Sequence, residues 1–401
     1  MPQRLPAARL SAFYLAYYTA LGAFTPYWSL FLKQRGQDAA AISVLMSLWY
    51  GTRIVAPSTW NALATRSSRP VAWLRIGCLA TLASFLVFLV PMSFTGLFAA
   101  MVVFCFCYNA VMPQFEAITL SHLVGRSEQY GRIRVWGSIG FIGSVGLLGL
   151  VFDHWSVAHL PLLMLPMFAA LLAASFANDY GPGHVETPAG VPGELRRCLL
   201  RRCLLRRDVL MFLLVALLAQ ISFGPLYTFF SIFLEQHGYR ASTLGLFWAL
   251  GVAVEIGVFF LAARLLARFD ARHILIAALA SAALRWLVTA LFPDRTAIVT
   301  LAQLTHALNF AAFFAACMQF MAKFFPGRLA GHGQGLYYGL SSGVGGVLGA
   351  LIAGQAWRIG GGELAFLWAS GFAIAATVIA WRYLPSIHAA APSAPEPAAT
   401  G

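Results

Sequence analysis

Charge is scarce in this chain. Only 10% of its 401 residues are Asp, Glu, Lys or Arg, and 60% are apolar. Soluble domains run nearer a quarter charged and half apolar, so a water-soluble globule is excluded. Lysine is almost missing, with arginine outnumbering it 25 to 2, a bias expected of a GC-rich bacterial genome. The formal charge of +13 does not indicate nucleic acid. Nucleic-acid binders set basic stripes within polar sequence, and here the cations stand between long apolar runs. Cysteine is sparse and unpatterned. Cys78, Cys105, Cys107, Cys198, Cys203 and Cys317 show no metal-like or redox-like spacing, and Cys105 and Cys107 would point different ways on a helix. Neither a disulfide nor a zinc site is expected. Nucleotide loops, metal-ligand clusters and nucleophile elbows are missing too, so no cofactor and no enzymatic activity are expected. The N-terminus lacks a clear cleavage site and leads into an apolar run too long for a signal peptide, which reads as a retained span.

What is present is hydrophobic length. A hydrocarbon core of ~30 Å needs about 20 helical residues. Runs of that length begin near Ser11, Ala39, Pro70, Gly96, Tyr130 and Val157, and again near Asp208, Ala241, Arg272, Thr296, Gly333 and Gly362. The runs are continuous rather than alternating, which excludes a β-barrel. The expected fold is an all-α membrane protein with twelve transmembrane helices in two six-helix bundles. Residues 1–177 form the first bundle, 178–207 a cytoplasmic linker, 208–384 the second bundle, and 385–401 an Ala/Pro-rich disordered tail.

Cations orient the spans. Arg66, Arg69, Arg126, Arg264, Arg268, Lys323 and Arg328 fall in one set of loops, with the Arg196–Arg207 stretch. The other set carries only Lys33, Arg35, Arg240, Arg295 and Arg358. Positive loops stay inside, so both termini are expected in the cytoplasm of a bacterium, with the chain in its inner membrane.

The two halves repeat. Shifted by 202 positions, Ser29, Phe31, Leu32, Gln34 and Gly36 match Ser231, Phe233, Leu234, Gln236 and Gly238, and Gly22 and Arg66 match Gly224 and Arg268. Such a duplication suits a transporter whose halves rock about a central site. At the same offset Arg53 falls on Glu255, each well inside a span. An ionised group there costs about 3 kcal/mol on insertion scales unless paired or wet, so the two are expected to face a central cavity, where they could meet. Hairpin geometry adds two candidate pairs at matched depth. Glu116 and Arg134 are each nine residues from Gly125, and Arg285 and His306 flank the Pro293–Thr296 turn. Each pair could be a structural ion pair or a contact to substrate. Asn309 lies one turn beyond His306 on the same face. Gln220 and Gln319 read as interhelical hydrogen-bonding residues. Tyr14, Tyr17, Tyr18, Tyr27 and Trp28 offer a ring-stacking wall, Tyr18, Tyr27 and Trp28 foremost, although aromatics also serve helix packing and interfaces. Glycines recur every third residue from Gly137 to Gly149, and similarly from Gly335 to Gly349, marking close helix contacts.

Several segments carry a resemblance. Gly22-Ala-Phe-Thr-Pro-Tyr-Trp28, Cys107-Tyr-Asn-Ala-Val-Met-Pro-Gln-Phe-Glu116-Ala and Tyr130-Gly-Arg-Ile-Arg-Val-Trp-Gly137 resemble the lactose-permease and phenylpropionate-transporter branch of the major facilitator superfamily. Glu255, Arg285 and His306 follow that branch in order and near its spacing. The resemblance implies a proton-coupled importer with a central cavity, Glu116 and Arg134 contacting substrate, and the proton gradient as driving force. Two departures stand out. Asn309 occupies a position where the permease has a carboxylate, and the loop Asn61–Arg69 lacks the aspartate usual in the superfamily. Glu255 and Glu116 are therefore the candidate protonation sites.

Arg53, Arg134 and Arg285 favour an anionic group and the aromatics a ring, so an aromatic carboxylate is the first substrate expected. A neutral sugar or nucleoside is the alternative. A transport-inactive membrane sensor or scaffold is the competing class. The expected partners are a small molecule, protons and lipid, with the chain acting as a monomer.

Overall fold

The computed structural model describes residues 5–67, 69–181 and 205–387. Every regular element among them is helical. The helices are α1 (Ala7–Gln34), α2 (Ala39–Thr65), α3 (Pro70–Leu89), α4 (Phe94–His122), α5 (Tyr130–Phe152), α6 (Val157–Phe176), α7 (Arg207–Gln236), α8 (Ala241–Arg268), α9 (Ala271–Leu291) and α10 (Thr296–Phe324). Two more, α11 (330–359) and α12 (362–383), make up the stretch Ala330–Tyr383, which breaks at Gly360 and Gly361. Gly361 has φ +74°, a conformation that L side chains rarely adopt, so the chain reverses there on a glycine pair.

Ten helical stretches are long and apolar enough to cross a membrane. The tyrosine-rich α1 and the division of the last stretch bring the arrangement into agreement with twelve spans. Starts fall within a few residues of those read from the sequence because local signals define them. Asp38 accepts a hydrogen bond from the Ala41 amide at 2.8 Å, Ser93 from Gly96 at 3.3 Å and Asp270 from Arg272 at 2.7 Å. Each satisfies an amide that has no partner within the helix. The start of α7 was read one residue late, and its course is interrupted at Phe223, just before Gly224 and Pro225.

Of the Arg196–Arg207 stretch, residues 196–204 lie outside the described residues, as do 388–401 of the tail. Ordered packing runs past Pro385. Ile387 is buried, and its carbonyl accepts from the Ala271 amide at 2.8 Å.

Helices of each half pack through glycine. A side chain at Gly22 would strike the Phe141 carbonyl at 2.7 Å, and one at Gly140 the Leu15 carbonyl at 2.6 Å, so α1 and α5 touch backbone to backbone. In the other half, Gly224 of α7 lies against Gly349 of α11 in the same way.

The halves meet each other mainly through α2 with α11, α5 with α8 and α1 with α7. Their polar contacts gather at one end of the molecule, where loops 35–38, 153–156 and 237–240 lie. Lys33 pairs with Glu235 at 2.6 Å, and Asp153 accepts from the Ser242 amide at 3.0 Å. The Lys33–Glu235 separation is 202 residues, the repeat offset itself, so related positions of the two halves hold each other. Gly149 fits against the Ala241 carbonyl, Gly245 against the Val145 carbonyl and Gly354 against Ser43. This end is closed.

Candidate functional site

Ionisable side chains from six helices, α2, α4, α5, α8, α9 and α10, stand within the bundle in three groups. The first is on α2 and α4. The Arg53 Nε donates to Asn109 Oδ1 at 3.3 Å, and the guanidinium lies 5.2 Å from the Trp49 ring centre. Asn109 is itself fixed, its amide donating to the Trp49 carbonyl and to Thr52 Oγ1, both at 2.9 Å. Arg53 is exposed and, among the described residues, makes no ion pair with a carboxylate. A buried amide therefore orients a guanidinium whose outer fork is open.

The second group joins α1, α4 and α5. Arg134 sits 4.0 Å above the Tyr18 ring and 5.6 Å from that of Tyr14. Gly137, one turn on, leaves room for this stack: a Cβ there would lie 2.7 Å from Arg134 and 2.8 Å from Tyr18. The Tyr130 hydroxyl lies 3.2 Å from both carboxylate oxygens of Glu116 and donates to them. Arg134 and Glu116 feel each other's charge but form no direct ion pair, because Tyr18 and Tyr130 are their nearer partners.

The third group lies in the second half. Arg285 is 1% exposed, and its Nη1 meets His306 Nδ1 at 3.0 Å while its Nη2 donates to Gln303 Oε1 at 2.7 Å. On its other side, His306 Nε2 faces Glu255 Oε2 at 3.6 Å. Arginine has no acceptor, so Nδ1 must accept from it, which leaves the ring proton on Nε2, directed at Glu255. Gly251 makes space for the imidazole, whose ring carbon would lie 3.3 Å from a Cβ at that position. The sequence-matched pair Arg285 and His306 is thus in contact.

The charged groups of the two halves lie within electrostatic range of shared neighbours. Tyr18 of α1 feels the charges of Arg134, Glu116, Arg53 and Glu255, and Tyr227 of α7 those of Glu255, Arg285 and Arg53. Arg53 and Glu255 do not meet directly. Arg53 is held by Asn109 and Glu255 faces His306, and both charges act on Tyr18 and Tyr227.

Three of the expected residues are held in other contacts. Tyr27 is fully buried at the contact between halves, donating to the Val145 carbonyl at 2.8 Å. Trp28 is fully buried among Phe24, Phe31, Phe85 and Phe88. Asn309 ties α10 to α9, donating to the Ala278 carbonyl at 2.9 Å from within the π-helical stretch Leu308–Ala312. None of the three is hydrogen-bonded to the charged cluster. Asn109, Gln303, Tyr130 and Tyr227 belong to it and were not singled out. Gln303 did carry a signal, lying one turn before His306.

The helical bundle, with charged groups inside both halves, is matched by a family model described as the MFS_1 like family over residues 7–368. The chain belongs to that family. It is a transporter of the major facilitator superfamily. A relative in Escherichia coli (strain K12), described as a probable 3-phenylpropionic acid transporter, is 27% identical over 315 residues, spanning 77% of this chain and 80% of the relative. The transporter's fold is also that of a crystallised mutant of the nucleoside transporter NupG. That match has a TM-score of 0.83 and 16% identity, over 94% of this chain and 98% of the other. The POT family transporter PepTSo matches with a TM-score of 0.74 and 12% identity, over 95% and 98% of the two chains.

Proposed function

We propose that the transporter takes up a small aromatic monocarboxylate together with a proton, by alternating access in a bacterial inner membrane. Arg53 carries this reading. It is a mid-span cation that is pre-oriented by Asn109, exposed, and unmatched by a carboxylate among the described residues. Around it, Arg53, Arg134 and Arg285 stand against Glu116 and Glu255, leaving one positive charge for a single anionic group. Trp49 and Tyr50 beside Arg53, with Tyr18 and Tyr227 across a central chamber, supply ring faces for an aromatic body. The Escherichia coli relative supports the same substrate class.

Proton coupling rests on the third group. A protonated His306 can no longer accept from Arg285, and a protonated Glu255 no longer attracts the Nε2 proton. A proton entering this chain therefore releases Arg285 or Glu255 toward the chamber, and substrate charge there shifts the proton equilibrium in return. By the positive-inside rule, the closed end faces the periplasm and the chamber opens toward the cytoplasm.

The test is uptake into proteoliposomes under an imposed pH gradient, with labelled 3-phenylpropionate, lactose and uridine offered separately. Accumulation of 3-phenylpropionate, its loss in Arg53→Ala and no accumulation of the neutral solutes are expected. Uptake of uridine or lactose with none of the acid would establish the alternative substrate class. Failure of all three, despite correct insertion, would favour the sensor or scaffold class.

A further inference from the structure

The closed end contains a helix that is capped by the wrong half of the molecule. Under the 202-residue repeat, Asp38 before α2 corresponds to Arg240 before α8. Both take the extended backbone of an N-cap, Asp38 at φ −75°, ψ 174° and Arg240 at φ −71°, ψ 157°. Asp38 caps its own helix through the Ala41 amide. Arg240 has no acceptor atom and makes no side-chain cap. The missing acceptor comes instead from Asp153, at the end of α5 in the other half, which takes the Ser242 amide at 3.0 Å. Glycines on both helices permit this approach. A Cβ at Gly149 would lie 2.8 Å from the Ala241 carbonyl, and one at Gly245 2.6 Å from the Val145 carbonyl.

We propose that α8 is capped in trans by Asp153, so that closing this end of the transporter completes the helix and opening it strips the cap. The contact biases the resting transporter toward the closed state, and Asp153 acts as a positioning residue for the gate rather than as a substrate contact. The proposal rests on alternating access, since the end must open for the bias to matter. An N-cap of this kind shifts an equilibrium by about fivefold.

Substituting Arg240 gives the sharper consequence. Arg240→Asn would cap α8 from within its own half in both states, making the Asp153 contact redundant. A substitution that improves the helix should therefore open the gate as much as Asp153→Ala does. The two together should open it no further, because each removes the same linkage.

The reporter is a cysteine at Ser43, buried against Gly354 at the closed end but on α2, away from the altered contact. Its labelling by a membrane-impermeant thiol reagent is measured in right-side-out and inverted vesicles, with the parent chain's native cysteines as background. Correct folding is checked by monodisperse elution and thermal unfolding. Labelling about fivefold faster is expected for Asp153→Ala, for Arg240→Asn and for the pair, with Asp153→Asn at the parent rate because asparagine caps as well as aspartate. The proposal is overturned if Asp153→Ala labels at the parent rate, or if the two substitutions add. It is also overturned if Asp153→Asn behaves like Asp153→Ala, which would assign the contact to charge attraction with Arg240. Transport of labelled 3-phenylpropionate by the parent is scored separately: its failure would remove the uptake reading, whereas unchanged labelling with intact transport removes only the cap.

Discussion

Arg53 and Arg285 carry the same charge in the two halves and are held in opposite ways. Arg285 is buried, with bonds to Gln303 and His306, whereas Arg53 is fixed only through Nε and leaves its fork open. Arg53→Ala is expected to weaken carboxylate binding by roughly tenfold to a hundredfold, the worth of a charge-assisted hydrogen bond. Arg53→Lys should recover only part of this, because an ammonium cannot reproduce the planar fork. Equilibrium binding of 3-phenylpropionate to the purified variants measures both. Glu255→Gln should retain downhill exchange of substrate but lose accumulation driven by a pH gradient, which a counterflow assay beside an uptake assay will separate. The charged residues themselves were legible in the sequence, because an ion inside an apolar run has few reasons to be there. Their partners were less so. Asn109 and Gln303 are neutral amides that become informative only once a neighbouring helix is placed. Tyr27 and Trp28 could not be assigned to one face, because a membrane helix is apolar on every side and its sequence does not reveal which neighbour each face meets.

At the scale of helices, apolar length located the spans, with capping residues marking the starts of α2, α4 and α9, and glycine decided how closely spans approach. Gly149→Val should push α5 away from α8 and raise thiol labelling at the closed end, because its side chain would meet the Ala241 carbonyl and the Tyr27 hydroxyl. Gly143, with open space around it, should tolerate alanine without that effect, and comparing the two variants tests the assignment. The Lys33–Glu235 pair is about 40% exposed on each side, so its removal should cost less than about 1 kcal/mol, measured by a double-mutant cycle on the labelling equilibrium. Asp153 adds a pH dependence. Burial raises its pKa, but the Ser242 hydroxyl and amide, with Arg240 and His154 nearby, outweigh this and hold it below the usual carboxylate range. A carboxylate depressed in the closed state supports closure above its ordinary pKa and loses that support as pH falls through the lowered value. A protonated carboxyl keeps its carbonyl oxygen as an acceptor for the Ser242 amide, so the cap itself survives in acid and the pH effect on labelling at Ser43→Cys should be small beside that of Asp153→Ala. The glycine periods were visible in the sequence. Which glycine meets the same half and which meets the other was not, since that depends on how two rigid bundles dock.

For the whole molecule, duplication was readable because Ser, Gln and Gly recur at a fixed offset in otherwise permissive apolar sequence. The closed end was not readable. Opposite charges at Lys33 and Glu235 become a contact only in one of the conformations that two rocking halves can adopt. What unites the scales is the proposal that Arg53 of one half and Glu255 of the other act on the same substrate. Calorimetric titration of 3-phenylpropionate into the purified transporter, repeated in buffers of different ionisation enthalpy, reads binding and proton exchange together. Net proton uptake on binding is expected for the parent, binding without proton uptake for Glu255→Gln, and loss of binding for Arg53→Ala. Equal binding by all three proteins with no proton exchanged would contradict a shared chamber.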